Sequence, residues 1–150
     1  MARRDDLRVL VIDDSLTIRA MIEQILSGQP GCSVVGIASD VATARLLMAS
    51  TRPNVVTLDL MMPGIGGLAF LDELGTRAHC PVVVVSSTTK EGSDAATEAL
   101  ARGADACFDK AKIISAAPAF LALLRKTARR PTSAPRARVV LDPSAPPAAS

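Results

Sequence analysis

The chain has no tryptophan and no tyrosine, and three phenylalanines bring its aromatic content to only 2% of 150 residues. Its core must therefore be filled by Val, Leu, Ile, Met and Ala, which suits helices packed on a valine-rich sheet. Hydrophobic residues make up 49%, enough at this length for one domain with a real core. Cysteine is sparse. Cys32, Cys80 and Cys107 show neither zinc-ligand spacing nor an even count, so they are expected as reduced, mostly buried thiols of a cytoplasmic protein. Histidine is sparser still: His79 stands alone, and no serine sits in the glycine-rich turn of a hydrolase nucleophile. An esterase triad is therefore not expected, and neither is an enzyme of that class. No apolar run is long enough to span a bilayer, and Asp5, Asp6 and Arg8 interrupt the N-terminus, so no leader and no membrane contact are expected. A large excess of charge of one sign is missing too. The net charge of +2 divides into six basic residues and one acid over Arg125–Ser150, against eleven basic and fourteen acidic residues over 1–124. A mildly acidic folded part gives no electrostatic sign of nucleic-acid binding.

What is present is organised around Pro53–Gly67. Val55 to Leu58 is a short apolar, β-branched run that reads as a buried strand of a parallel sheet, with Asp59 at its end. Met62-Pro63 stops the strand, and a glycine-rich turn leads to an amphipathic helix over Leu68–Leu71 that closes at Gly75. The rest alternates in the same way. Leu7–Ile12 is a strand ending in Asp13-Asp14, and Ser15 is a good N-cap for a helix stopping at Gly28. Val34–Ala38 is the second strand, followed by a helix that Asp40 caps, running through Met48 and ending before Pro53. Pro81–Val85 is the fourth strand and delivers Ser86. A helix from about Ser93 to Arg102 precedes a short fifth strand, Asp105–Phe108, then Asp109-Lys110. The last helix begins after Ser115, with Pro118 in its first turn where a missing N–H is harmless. Half of the ten prolines lie beyond Arg130 among Ala, Ser and Arg, so 6–129 is expected to fold and 130–150 to be a disordered basic tail or linker.

Five βα units imply a parallel sheet with right-handed crossovers and helices on both faces. In strand order 2-1-3-4-5, strands 1 and 3 are neighbours across the switch point, where such sheets place their chemistry. Asp13, Asp14, Asp59, Ser86 and Lys110 then gather at one edge. Three carboxylates there repel unless a hard cation sits among them, and oxygen ligands suit Mg²⁺. A lysine and a hydroxyl nearby complete the parts needed for phosphoryl transfer to an aspartate. Plainer roles stay open at this point: Asp13, Asp14 and Ser15 can cap the first helix, and any of Ser86 to Thr89 can serve a turn. Gly64 to Ala69 spells G-x-G-x-x-A, but Pro63 and two methionines separate it from the strand, which argues against nucleotide binding.

The motifs V-L-V-I-D-D-S with Arg19 after it, T-L-D-L-M-M-P, V-V-V-V-S-S, G-A-D-A-C-F and Lys110 resemble the receiver domain of two-component response regulators. The run Ser86–Ala104 and the T-L-D-L strand end are most similar to the receiver half of the chemotaxis protein-glutamate methylesterases. The resemblance implies a flavodoxin-like (βα)5 three-layer sandwich. It implies a phosphorylation-controlled switch in which Asp59 accepts the phosphoryl group from a sensor histidine kinase and passes the signal to a downstream protein partner. It also implies that Asp13, Asp14, Asp59 and the backbone carbonyl of Met61 hold Mg²⁺, that Lys110 contacts the phosphoryl group and that Ser86 is the switch hydroxyl. An alternative is the regulatory half of such a methylesterase, with its hydrolase domain absent from this sequence. Three positions depart from the family pattern: Gly66 where an aspartate is usual, Cys107 where an aromatic is usual, and Ala111 where a proline follows the lysine.

Overall fold

The computed structural model describes residues 6–62, 66–76, 79–87 and 94–130. The elements run β1 (Leu7–Ile12), α1 (Leu16–Ser27), β2 (Cys32–Ala38), α2 (Val41–Thr51), β3 (Val55–Leu58), α3 (Gly67–Leu74), β4 (Val82–Ser86), α4 (Asp94–Ala101), β5 (Ala106–Asp109) and α5 (Ala117–Ala128). The five strands pair in parallel in the order β2-β1-β3-β4-β5, as the alternation of elements predicts. The expected tail lies outside the described residues except for Arg130. That residue is tied down, its Nη1 donating to the Asp105 carbonyl at 3.1 Å.

Side-chain alternation along each strand sorts the core into two halves. Val9, Val11, Val55, Val83 and Val85 face α1 and α5, meeting Ile22, Leu26, Phe120 and Leu124. Leu10, Ile12, Val56, Leu58, Val82 and Val84 face α2, α3 and α4, meeting Val41, Ala44, Phe70, Leu71, Leu74 and Ala99. With both faces covered, β3 and β4 are buried at every position, which is why they read as unbroken apolar runs. Phe108 and Phe120 stack at 5.0 Å between ring centroids, so two of the three aromatics join β5 to α5.

Helix starts follow the caps seen in the sequence. Ser15 accepts from the Ile18 N–H at 3.3 Å and Asp40 from the Thr43 N–H at 2.7 Å, each satisfying a free donor of a first turn. Two boundaries are set by contacts remote in sequence. β2 begins at Cys32, two residues early, because Leu7 and Arg8 pair with Cys32 and Ser33. α2 runs to Thr51, past Met48, because Arg8 Nη2 donates to the Thr51 carbonyl at 2.6 Å and Arg52 takes the left-handed conformation with φ 47°, a helix ending met by a distant guanidinium. All three cysteines are free thiols of intermediate burial, none of them fully buried.

Gly67, the first residue of α3, has the tightest surroundings. A Cβ there would lie 2.4 Å from the Asp59 carbonyl oxygen and 2.7 Å from Leu60 Cα, both backbone atoms that cannot swing away. Gly28 is the opposite case, with no heavy atom within 4 Å of its would-be Cβ and φ of −84°. Gly67→Ala is expected to cost about 2 kcal/mol, whereas Gly28→Ala leaves stability unchanged or slightly raised. Urea unfolding of the two variants beside the parent checks this, and equal midpoints for all three would contradict it.

Candidate functional site

β1 and β3 are adjacent and in register through Ile12↔Leu58, so the residues immediately after them, Asp13 and Asp59, emerge side by side at the carboxyl edge of the sheet. The ladder continues one step further, with the Asp59 N–H donating to the Ile12 carbonyl at 2.9 Å and the Asp13 N–H to the Ala38 carbonyl at 2.9 Å. Both carboxylates are 2% exposed. Buried carboxylates need donors, and the backbone supplies them. The Ser15 N–H donates to Asp13 Oδ1 at 2.7 Å, and the Met61 N–H donates to Asp59 Oδ1 at 3.1 Å. Each is a carboxylate turned back onto the amide two residues ahead, so each acid is oriented by the turn that follows its own strand.

Asp14 completes the cluster from an exposed position, and one oxygen from each of Asp13, Asp14 and Asp59 lies within 4.8 Å of the others. Lys110, just past β5, reaches across β4 to the same place. Its Nζ is 3.0 Å from Asp13 Oδ2 and 3.4 Å from Asp59 Oδ2. The sequence-predicted residues Asp13, Asp14, Asp59 and Lys110 thus meet. Ser86 ends β4, fully buried, opposite Asp109 of β5, and Met61 lies in the loop leaving Asp59 with its side chain 64% exposed. Thr88 and Thr89 lie outside the described residues, as do Pro63, Gly64 and Ile65 of the glycine-rich turn.

Burial pushes the Asp59 carboxyl above its ordinary value, and the neighbouring Asp13 charge pushes it the same way. The Met61 N–H and the Lys110 ammonium pull it down without reversing the direction. Burial also raises the thiols of Cys107 and Cys80, the latter to about 12, so neither is a thiolate nucleophile at neutral pH.

Two features of the site were not singled out in the sequence. Gly67 lets α3 pass against the Asp59–Leu60 backbone, to which it is bonded through its N–H and the Leu60 carbonyl at 3.3 Å. Thr57, one step below Asp59 on the same side of β3, is buried at 1% exposure. A hydroxyl inside an otherwise apolar strand was the available signal. Gly66 precedes α3 with no side-chain cap, and its would-be Cβ has 3.8 Å of clearance to the Leu60 carbonyl. The aspartate usual there would fit.

A doubly wound five-stranded sheet with paired acids, a third carboxylate and a lysine at its switch point defines a receiver. The chain matches the response regulator receiver domain over residues 9–116, and it belongs to that family of two-component signalling domains. Its relatives narrow the kind. It is 42% identical over 113 residues to protein-glutamate methylesterase/protein-glutamine glutaminase 1 of Xanthomonas campestris pv. campestris, covering 75% of this chain and 32% of that protein. It is 40% identical over 147 residues to the protein of the same name from the group 2 operon of Cereibacter sphaeroides, covering 98% of this chain and 40% of that one. Among solved structures, the response regulator domain of Thermotoga maritima CheB superposes with a TM-score of 0.78 at 32% identity, covering 84% of this chain and 98% of that one. The chain therefore spans only about a third of the Xanthomonas relative's length.

The raised Asp59 carboxyl has a consequence for stability. A group whose folded value lies above its unfolded value favours the native state while protonated, and that advantage is lost as pH rises through the folded value. At neutral pH the Asp59 charge is thus a net cost to the metal-free fold. Asp59→Asn keeps an acceptor for the Met61 N–H and removes the charge, so it is expected to raise the melting temperature by a few degrees. The gain should shrink as pH falls toward the ordinary carboxylate value of about 4. Calorimetry of parent and variant across that range, without divalent cations, checks it.

Proposed function

We propose that this receiver is a phosphorylation-controlled cytoplasmic switch in which Asp59 is the phosphoryl acceptor. The reading is carried by one observation: Asp59 is a buried carboxylate at a strand end, with Lys110 Nζ at 3.4 Å and two further carboxylates within 4.8 Å. Three carboxylates against one ammonium leave excess negative charge, and all the donors are hard oxygens, which fits a small divalent cation such as Mg²⁺. Asp13, Asp14, Asp59 and the Met61 backbone carbonyl would hold the ion, whose chemistry is to neutralise charge on the incoming phosphoryl oxygens.

The chain's own residues do the rest. The Met61 N–H holds Asp59 Oδ1, leaving Oδ2 on the Lys110 side as the nucleophile. That oxygen forms the new P–O bond while the P–N bond of a phosphohistidine breaks, its electron pair leaving on the imidazole nitrogen. The product is a mixed acyl phosphate. Lys110 supplies a point charge to the phosphoryl oxygens, and Ser86 is the hydroxyl that turns toward them. The donor is a sensor histidine kinase, and the phosphorylated face is read by a downstream protein partner.

With Mg²⁺ and a small acyl phosphate, the intact protein should gain one phosphoryl group by mass, and Asp59→Asn should gain none. Equal labelling of the variant would sink the assignment, and chelating the metal should stop labelling of the parent.

The loop after Asp59 bears on lifetime. Met61 is exposed beside the acceptor, and a thioether orients water poorly. Met61→Asn is expected to shorten the half-life of the phosphorylated form several-fold, read as loss of label after the donor is removed. Identical decay in parent and variant would show that this side chain does not control hydrolysis.

A second reading has its own support. The match to the Cereibacter methylesterase runs over 98% of this chain, including the proline-rich stretch beyond Arg130. On that reading 6–129 is the regulatory receiver of a chemotaxis methylesterase, and 130–150 is the linker toward its catalytic domain. Reading the coding DNA past Ser150 distinguishes the two.

A further inference from the structure

Among the described residues, two buried polar atoms have no hydrogen-bond partner, Arg19 Nε and Thr57 Oγ1. Arg19 is half-buried, but Thr57 is 1% exposed and lies in the middle of β3. Its ladder neighbours are Val11 on β1 and Val83 on β4. Valine has nearly the same shape as threonine and would fill this place without an unmet hydroxyl, which is destabilising when left unsatisfied. The position therefore calls for a partner, and strand geometry restricts where that partner is.

Thr57 shares its parity with Val55, which faces α1 and α5. Asp59 is the next residue of that parity, and Asp13 follows Val9 and Val11 in the same way. The row Val11–Thr57–Val83 thus lies directly beneath the row that begins Asp13–Asp59. The next residues above the hydroxyl on that face are Asp13 and Asp59, whose carboxylates the Lys110 ammonium bridges at 3.0 and 3.4 Å. A lysine ammonium has three protons and two carboxylates engage two of them. Successive same-face residues of a strand stand about 7 Å apart, a gap that one internal water closes when it has two or more polar partners.

We propose that Thr57 is a positioning residue of the phosphoryl-acceptor site: its buried hydroxyl anchors an internal water that takes the third proton of the Lys110 ammonium and keeps that ammonium centred between Asp13 and Asp59. The inference rests on the acceptor role given to Asp59 above. Lys110 already sits closer to Asp13 than to Asp59. Without the contact from below it collapses onto Asp13, away from the oxygen that receives the phosphoryl group.

The test uses Thr57→Val, which keeps the shape and loses the hydroxyl, and Thr57→Ser, which keeps the hydroxyl and loses the methyl. Three quantities are read on the full chain. They are the melting temperature, the phosphorylation rate with acetyl phosphate and Mg²⁺, and the exchange of the Lys110 ammonium protons with water by ¹⁵N NMR on the metal-free protein. Thr57→Val is expected to melt at or above the parent, yet to phosphorylate roughly fivefold more slowly, the rate equivalent of one ordinary hydrogen bond. Its Lys110 protons should exchange correspondingly faster. Thr57→Ser is expected to melt lower while keeping the parent's rate and Lys110 exchange. The proposal is overturned if the valine variant matches the parent in both rate and exchange, or if the serine variant slows as much as the valine one. A parent that takes no label refutes the acceptor reading instead, and the Lys110 exchange of the metal-free variants still decides the role of Thr57.

Discussion

The structure depends on one juxtaposition, two buried carboxylates placed side by side at the end of a parallel sheet. Asp13 and Asp59 are 46 positions apart in the chain and become neighbours only because β1 and β3 pair directly while β2 is sent to the outer edge. Like charges in a buried place repel, and the raised Asp59 carboxyl records that cost together with its desolvation. The fold meets the cost in three ways. A backbone N–H from the following turn holds each acid, a lysine from β5 sits between them, and the third carboxylate stays exposed. An arrangement that concentrates unmet negative charge at a protected edge attracts cations and phosphoryl groups carried with them, which is the physical basis of a receiver site.

Much of the remaining structure keeps that edge fixed. Gly67 lets α3 begin in contact with the Asp59 and Leu60 backbone, so the loop carrying the Met61 N–H is pinned from behind. The helices on that face are joined across their outer surfaces. Arg45 of α2 pairs with Glu73 of α3, and Arg102, beside α4, pairs with Asp72 of α3 and with Glu98. These pairs are partly exposed and each contributes little alone. Their placement matters more, because they link α2, α3 and α4 into one layer on that face of the sheet. On the opposite face Arg130 closes onto Asp105, whose Oδ2 accepts the Val82 N–H at 2.8 Å, so the far end of α5 is tied to the starts of β4 and β5.

Of the three departures from the family pattern, Gly66 and Ala111 adjoin the acidic edge and Cys107 lies on β5. Cys107 is half-buried on β5, its thiol 3.7 Å from the Ala96 carbonyl of α4, where the family pattern has an aromatic. A thiol is smaller than a ring and tolerates both buried and exposed surroundings. All three departures leave Asp13, Asp14, Asp59 and Lys110 in place.

The sequence alone determined the element order, the strand limits Leu7–Ile12 and Val55–Leu58, the caps at Ser15 and Asp40, and the identity of the acids and the lysine. These are legible because they are local: short continuous apolar runs, capping side chains and short motifs are properties of a few adjacent residues. What only the tertiary structure decided is non-local. The early start of β2 and the contact that closes α2 at Thr51 both follow from residues on β1. The lysine's closer approach to Asp13 than to Asp59 and the clearance behind Gly67 depend on how β5 and α3 settle against β3. The isolation of the Thr57 hydroxyl is a matter of the same kind, since threonine is an ordinary strand residue until packing removes every partner. Spacing in a chain says which side chains share an edge, but distances of a few tenths of an ångström are set by the packing of the whole core.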